Sequence, residues 1–225
     1  MDTKMHPKTI HEATKNGDMR FLHSYLNTIR SAKVEARIVE LCLENGHSDI
    51  VDLFVDRKNT HVNIMQLALS WSITHFKKQW VKQFVTLNGA LENPAEMLNL
   101  AIKTQNLPII DVLLPYVSSG SSEMLCAAVR TSNENVVRKV LHLCNPKDQS
   151  SSALQEAVAF QNQEIFDLLY PLSDPQEAWE CIRKDSWFDA RQRKMIKSRL
   201  DVDRQKAKLE KAIGSEVSAV KIKKI

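Results

Sequence analysis

The sequence predicts an all-α fold, a solenoid of stacked helix-turn-helix repeats closed by a C-terminal capping helical region. Three observations carry this: a pattern of eight slots recurs six times, helix-boundary residues fall at matching offsets within it, and the chain has only five Gly in 225 residues. Let s be the first apolar residue of a copy. A small residue follows at s+3, an apolar one at s+4, a polar residue or Gly at s+7, and apolar pairs at s+11, s+12 and s+15, s+16. Self-similarity of this period marks a solenoid, in which each unit buries its apolar face only against its neighbours.

The first copy runs Ile10, Ala13, Thr14, Gly17, Phe21, Leu22, Tyr25, Leu26, and the second Val39, Cys42, Leu43, Gly46, Ile50, Val51, Phe54, Val55. A third begins at Met65 with Ala68 and Leu69, and its second half fits as Trp80, Val81, Phe84 and Val85 only after four extra residues. The fourth is Leu98, Ala101, Ile102, Gln105, Ile109, Ile110, Leu113, Leu114, and the fifth is Leu125, Ala128, Val129, Ser132, Val136, Val137, Val140, Leu141. The sixth is Leu154, Ala157, Val158, Gln161, Ile165, Phe166, Leu169, Tyr170. Within each half, offsets of three and four gather the apolar side chains on one helix face, so each copy reads as two helices joined by a short turn. The small residue at s+3 lets paired helices approach closely.

The punctuation agrees. Asn93-Pro94 and Asp174-Pro175 each supply a capping side chain and a Pro at the first helical position, followed by Glu96 or Glu177. Pro115 and Pro171 both fall at s+17, where a residue without an N–H ends the second helix. Helix pairs are therefore expected to begin near Pro7, Glu35, Ile64, Pro94, Glu123 and Ser151, with a capping pair after them.

The residues now carry a family resemblance. Glu44-Asn45-Gly46-His47-Ser48-Asp49-Ile50-Val51-Asp52-Leu53-Phe54 resembles the turn and second helix of an ankyrin repeat, and Lys15-Asn16-Gly17-Asp18 is similar. The resemblance covers roughly residues 8 to 172. No copy has the family's Thr-Pro-Leu-His opening, and two of six keep Gly in the turn. The starts are separated by 29, 26, 33, 27 and 29 residues, mostly fewer than the family's roughly 33. The resemblance implies plain loops where many ankyrins carry β-hairpins, and short divergent arrays of this style resemble those of intracellular bacteria, phages and large DNA viruses. It also implies binding of another protein through a concave face built from the outward residues of first helices and the adjoining turns. The chain then divides into an array of six repeats over residues 1–172, basic capping helices over 173–213, and a flexible basic tail over 214–225.

In that frame s+6 points towards the binding face: Asn16, Asn45, Trp71, Thr104, Thr131 and Phe160. The two aromatics stand out, because an exposed Trp or Phe has no core to justify it and aromatics are enriched at interface hot spots. Trp71 has two readings, exposed on this face or rotated into a local core by the four extra residues. Phe160 is expected to be exposed, with packing on Phe166 or on the adjacent repeat as its alternative. Lys103 and Arg130, at s+5 of consecutive copies, add a small basic patch beside Thr104 and Thr131.

Charge is uneven. Residues 183–225 hold 14 Lys or Arg against 6 Asp or Glu, whereas residues 1–182 hold 17 against 21. The segment from Arg191 to about Ile213 reads as a solvated capping helix. Its alternative is a basic surface for nucleic acid formed by Arg191, Arg193, Lys194, Lys197, Arg204 and Lys208, although it lacks interleaved aromatics and is diluted by Asp189, Asp201, Asp203 and Glu210.

No paired carboxylates, nucleophile with base, metal-ligand spacing or phosphate loop appears, so neither catalysis, a cofactor nor a metal is expected. The seven His are scattered without i, i+4 pairing. Ser118-Ser119-Gly120-Ser121-Ser122 reads as a linker, and Cys42, Cys126, Cys144 and Cys181 as reduced thiols serving as small apolar residues. With no apolar run near the roughly 18 residues of a membrane span and no apolar signal segment, the reading is a protein-binding protein of the cytoplasm, in the producing cell or in a host. A nucleic-acid-associated protein and an enzyme built from residues distant in sequence are the competing readings.

Overall fold

The structure, a computed structural model, describes residues 7–28, 31–47, 49–50, 62–87 and 93–222. Among them the chain is all-helical, with thirteen α-helices, three short 3-10 turns and no strand. The helices are α1 (Pro7–Asn16), α2 (Met19–Thr28), α3 (Ala32–Glu44), α4 (Val62–Thr74), α5 (Lys78–Leu87), α6 (Pro94–Lys103) and α7 (Leu107–Leu113). Then come α8 (Ser122–Arg130), α9 (Glu134–Val140), α10 (Asp148–Ala159), α11 (Gln163–Leu169), α12 (Pro175–Lys184) and α13 (Ala190–Ile222). First helices thus begin within about a turn of every expected start. Of the second helix expected in the second repeat, Ile50 is buried, and Val51, Phe54 and Val55 lie outside the described residues.

Contacts divide the chain into two compact units, Met1–Val117 and Ser118–Ile225. In the first, α1 packs on α3, α3 on α4 and α4 on α6, while α5 packs on α7. In the second, α8 packs on α10, α10 on α12 and α9 on α11, and α13 closes against α10 and α12. The predicted slots supply the cores: Leu98, Ala101, Ile102, Ile109, Ile110 and Leu113 are buried in the first unit, and Leu125, Ala128, Val129, Val136, Val137 and Val140 in the second. Both s+17 prolines sit in 3-10 turns, Leu114–Tyr116 and Tyr170–Leu172, which tighten the end of a second helix that Pro cannot prolong.

One turn geometry recurs. The residue at s+7 is left-handed in all six copies: Gly17 (φ 67), Gly46 (φ 81), Phe76 (φ 59), Gln105 (φ 56), Ser132 (φ 56) and Gln161 (φ 52). Helices commonly end with such a residue, which lets two following N–H groups reach back to the last free carbonyls. At s+8 the N–H donates to the s+3 carbonyl in Asp18→Ala13 (3.0 Å), His47→Cys42 (2.8 Å), Lys77→Ser72 (2.8 Å) and Asn162→Ala157 (3.1 Å). The s+8 side chain then caps the second helix: Asp18, Asn106 and Asn162 accept from the N–H three residues on, and Asn133 from that of Asn135.

This turn corrects the third repeat. Phe76 is its left-handed residue and Ser72 its small one, so s is Leu69, with Ile73, Trp80, Val81, Phe84 and Val85 filling the apolar slots without an insertion and Phe76 replacing the polar residue or Gly of the other copies at s+7. Ser72, Ile73, Val81 and Phe84 are buried. Displacing the start by four residues keeps the same helix face, since a turn takes 3.6 residues, and this is how Met65 also satisfied the pattern. The starts become 10, 39, 69, 98, 125 and 154, separated by 29, 30, 29, 27 and 29 residues.

The expected caps divide. Asp174 accepts from the N–H groups of Gln176 and Glu177, whereas Asn93 makes no side-chain capping bond and leaves that end to Pro94. Around the expected start at Ser151, α10 opens with three consecutive left-handed residues, Gln149, Ser150 and Ser151. Such residues cost roughly 1–2 kcal/mol each. Ser151 Oγ accepts from the Asp174 N–H at 2.8 Å and Gln155 Nε2 donates to the Ser150 carbonyl at 2.8 Å, which holds the turn.

The last helix starts in a reciprocal capping box: Asp189 Oδ1 accepts from the Gln192 N–H, and Gln192 Oε1 accepts from the Asp189 N–H, both at 2.7 Å. Gln192, Ile196 and Leu200 form its buried stripe. From Val202 to Ile213 every residue is exposed, and the helical backbone continues through Gly214 and Ser215, past the expected end at Ile213, to Ile222.

Candidate functional site

The s+6 slot is the C-cap of four first helices, at Asn45, Thr104, Thr131 and Phe160. Thr104 Oγ1 donates to the Ala101 carbonyl at 2.9 Å, Thr131 Oγ1 to the Ala128 carbonyl at 2.7 Å, and Asn45 Nδ2 to the Leu41 carbonyl at 2.7 Å. These side chains bond to carbonyls of the last turn, two of which, those of Leu41 and Ala128, also accept a backbone N–H. Thr104 and Thr131 are half-buried. Phe160 occupies the same C-cap slot (φ −84, ψ 0) and contributes no such bond, and 49% of it is exposed. Phe166 is buried, and its ring pairs with Tyr170, centroids 5.3 Å apart.

Trp71 is not in this slot. With s at Leu69 it falls at s+2, and His75 takes the turn position. Trp71 is half-buried, stacks on His75 with centroids 4.0 Å apart and lies beside Trp80 at 6.0 Å. The local-cluster reading therefore describes Trp71. The exposed aromatic of that turn is Phe76, 60% exposed.

The charges are also redistributed. Arg130 forms an ion pair with Glu156 of the following repeat, which raises the guanidinium further above its ordinary value and removes it from a free basic patch. Lys103 is exposed and belongs, with Thr104, to the other unit. Of the alternative basic surface, Arg204 is held by Asp201 and Gln176, and Arg193 is half-buried with Nη2 donating to the Asp185 carbonyl at 2.9 Å. Arg191, Lys194, Lys197 and Lys208 are exposed, and none of the four meets a carboxylate among the described residues.

Arg191 and Lys194 border a groove of about 550 Å³ between α11 and α13. Gln161, Gln163 and Asp167 form the α11 side, Met195 and Val202 supply apolar surface beside the buried Phe166, and Ser198 and Arg199 complete the α13 side. The α13 wall is fixed from behind. Tyr170 Oη donates to Asp203 Oδ2 at 2.7 Å, Arg199 Cζ lies 5.5 Å from the Tyr170 ring centre, and Gln192 Nε2 donates to the Ala159 carbonyl at 2.7 Å. Burial, together with the hydrogen bond to the Asp203 carboxylate and its charge, pushes the Tyr170 phenol well above its ordinary value, so it remains a donor.

Among the described residues no group of three His, Cys, Asp or Glu could hold a metal ion, and no helix is long and apolar enough to cross a membrane. Burial pushes the thiols of Cys42 and Cys144 up to about 11. Cys126 is raised too, with its Sγ 3.2 Å from Ser152 Oγ. These thiols are poor nucleophiles at neutral pH. No family model, curated protein or solved structure matches this chain.

Proposed function

We propose that the chain is a non-catalytic, ankyrin-like protein-binding module that meets its partner through the turn face of its repeats, with Phe160 as the anchor, and so acts as a scaffold, inhibitor or sequestering factor. The observation that carries this is the contrast at one slot. Asn16, Asn45, His75, Thr104 and Thr131 are polar there, while Phe160 exposes half of its surface in the same backbone setting. A half-exposed aromatic on a rigid helix end loses little entropy on docking and removes a large apolar area from water, the usual make-up of a hot spot. The six left-handed turns support the ankyrin-like reading, since one backbone geometry repeated at nearly constant spacing presents the s+6 residues in equivalent settings.

A photo-crosslinking residue placed at Phe160 tests this. It is expected to give a protease-sensitive protein adduct in lysate that is not formed from the same residue at Asn16. Equal adducts from both positions, or an adduct removed by nuclease, overturn the reading.

A further inference from the structure

We infer that the groove between α11 and α13 is a docking site for an acidic peptide segment carrying an apolar side chain. The inference rests on the protein-binding reading for its class of partner, but not on Phe160.

Charge complementarity decides the occupant. Arg191 and Lys194 project from one wall without a carboxylate partner among the described residues, and Arg199 stands beside them over the Tyr170 ring. The opposite wall has one acid, Asp167, already accepting from Gln163 Nε2 at 3.0 Å. A segment rich in Glu or Asp therefore finds two unused cations at the lip. Below them, Met195 is half-buried and Val202 is 56% exposed, so an apolar side chain gains contact by entering. Met suits such a floor, because its unbranched thioether adapts to varied shapes. The volume lies within the range of sites that bury a ligand, and apolar anchoring between helices is an established mode of peptide capture.

The same geometry disfavours a nucleic acid. Strand-binding grooves stack bases on exposed aromatic faces, and here the one aromatic lining residue, Phe166, is buried.

The test is fluorescence anisotropy on the full chain with three probes: an acidic peptide of roughly a dozen residues with a central Leu pair, its Leu→Ser counterpart, and an oligothymidylate of similar length. The Leu peptide is expected to bind more tightly than the Ser peptide. Arg191→Ala or Lys194→Ala is expected to weaken it about fivefold or more, while Lys208→Ala, outside the groove, changes it less than about twofold. Circular dichroism on each variant confirms that these exposed substitutions leave the helices intact. No binding of the Leu peptide, equal loss in Lys208→Ala, or tighter binding of the oligothymidylate overturns the inference. Phe160 takes no part in this assay, so its failure is separate from a failure of the crosslinking test.

Discussion

The Lys77 N–H donates to the Ser72 carbonyl at 2.8 Å, the same bond that joins Asp18 to Ala13, His47 to Cys42 and Asn162 to Ala157. That bond, with Phe76 left-handed, sets the start of the third repeat at Leu69 rather than Met65 and takes the four extra residues into α4. The pattern is thus one of backbone geometry, with side chains chosen to suit it.

Phe76 holds φ at 59 with most of its ring in solvent, so it has backbone strain and little packing to offset it. Phe76→Gly is expected to raise stability by about 0.5–1 kcal/mol, because Gly adopts this conformation without steric cost. A chemical denaturation midpoint that falls in the variant would remove Phe76 from the turn slot.

Gly17 and Gly46 share a conformation but not surroundings. A Cβ on Gly17 would lie 2.6 Å from His47 Nδ1, in a ring whose Nε2 meets the Lys15 carbonyl at 2.9 Å, whereas a Cβ on Gly46 meets nothing within 4 Å. Gly46→Ala should cost about 1 kcal/mol from backbone strain alone. Gly17→Ala is expected to cost about 1–3 kcal/mol more through overpacking against His47. Equal losses in denaturant titrations would mean that His47 does not seat over the first turn.

Much of this was legible beforehand. The s, s+3 and s+4 slots identified the buried faces because a helix repeats its surface every three to four residues, and Phe160 is exposed as expected. The same periodicity misplaced Met65, since one helical turn is invisible to an apolar pattern. The capping residues at s+8 were readable as Asp18, Asn106, Asn133 and Asn162, and Asp189-Ala190-Arg191-Gln192 as a capping box, yet a search for apolar slots passes over polar ones. The groove was not readable at all. Asp167 and Lys194 reach it from helices far apart in sequence, and the pairing of Arg130 with Glu156 likewise depends on how neighbouring repeats pack.

Ala128 and Ala157 are fully buried where first helices pack. Enlarging either to Leu is expected to lower stability by about 1–3 kcal/mol, with repacking of the adjacent helices. Unchanged thermal midpoints in both variants would contradict the seam.

Stability should fall in mild alkali. The unfolded chain loses the protons of Cys42 and Cys144 near the ordinary value of 9.0, while the folded chain holds them until about 11. Their contribution is therefore complete below the unfolded value and is lost as pH rises through that window. Replacing both with Ala is expected to flatten the decline of the thermal midpoint over this range. An unaltered slope would show that the thiols are not held protonated by burial.

Phe160→Ala gives the most direct test of the protein-binding account, with the thermal midpoint and the affinity for the crosslinked partner measured on the same preparation. Because the ring is half-exposed and caps nothing, folding should be nearly unchanged while affinity falls by more than about 1 kcal/mol. A clear drop in the midpoint with affinity intact would make Phe160 part of the core and contradict the account.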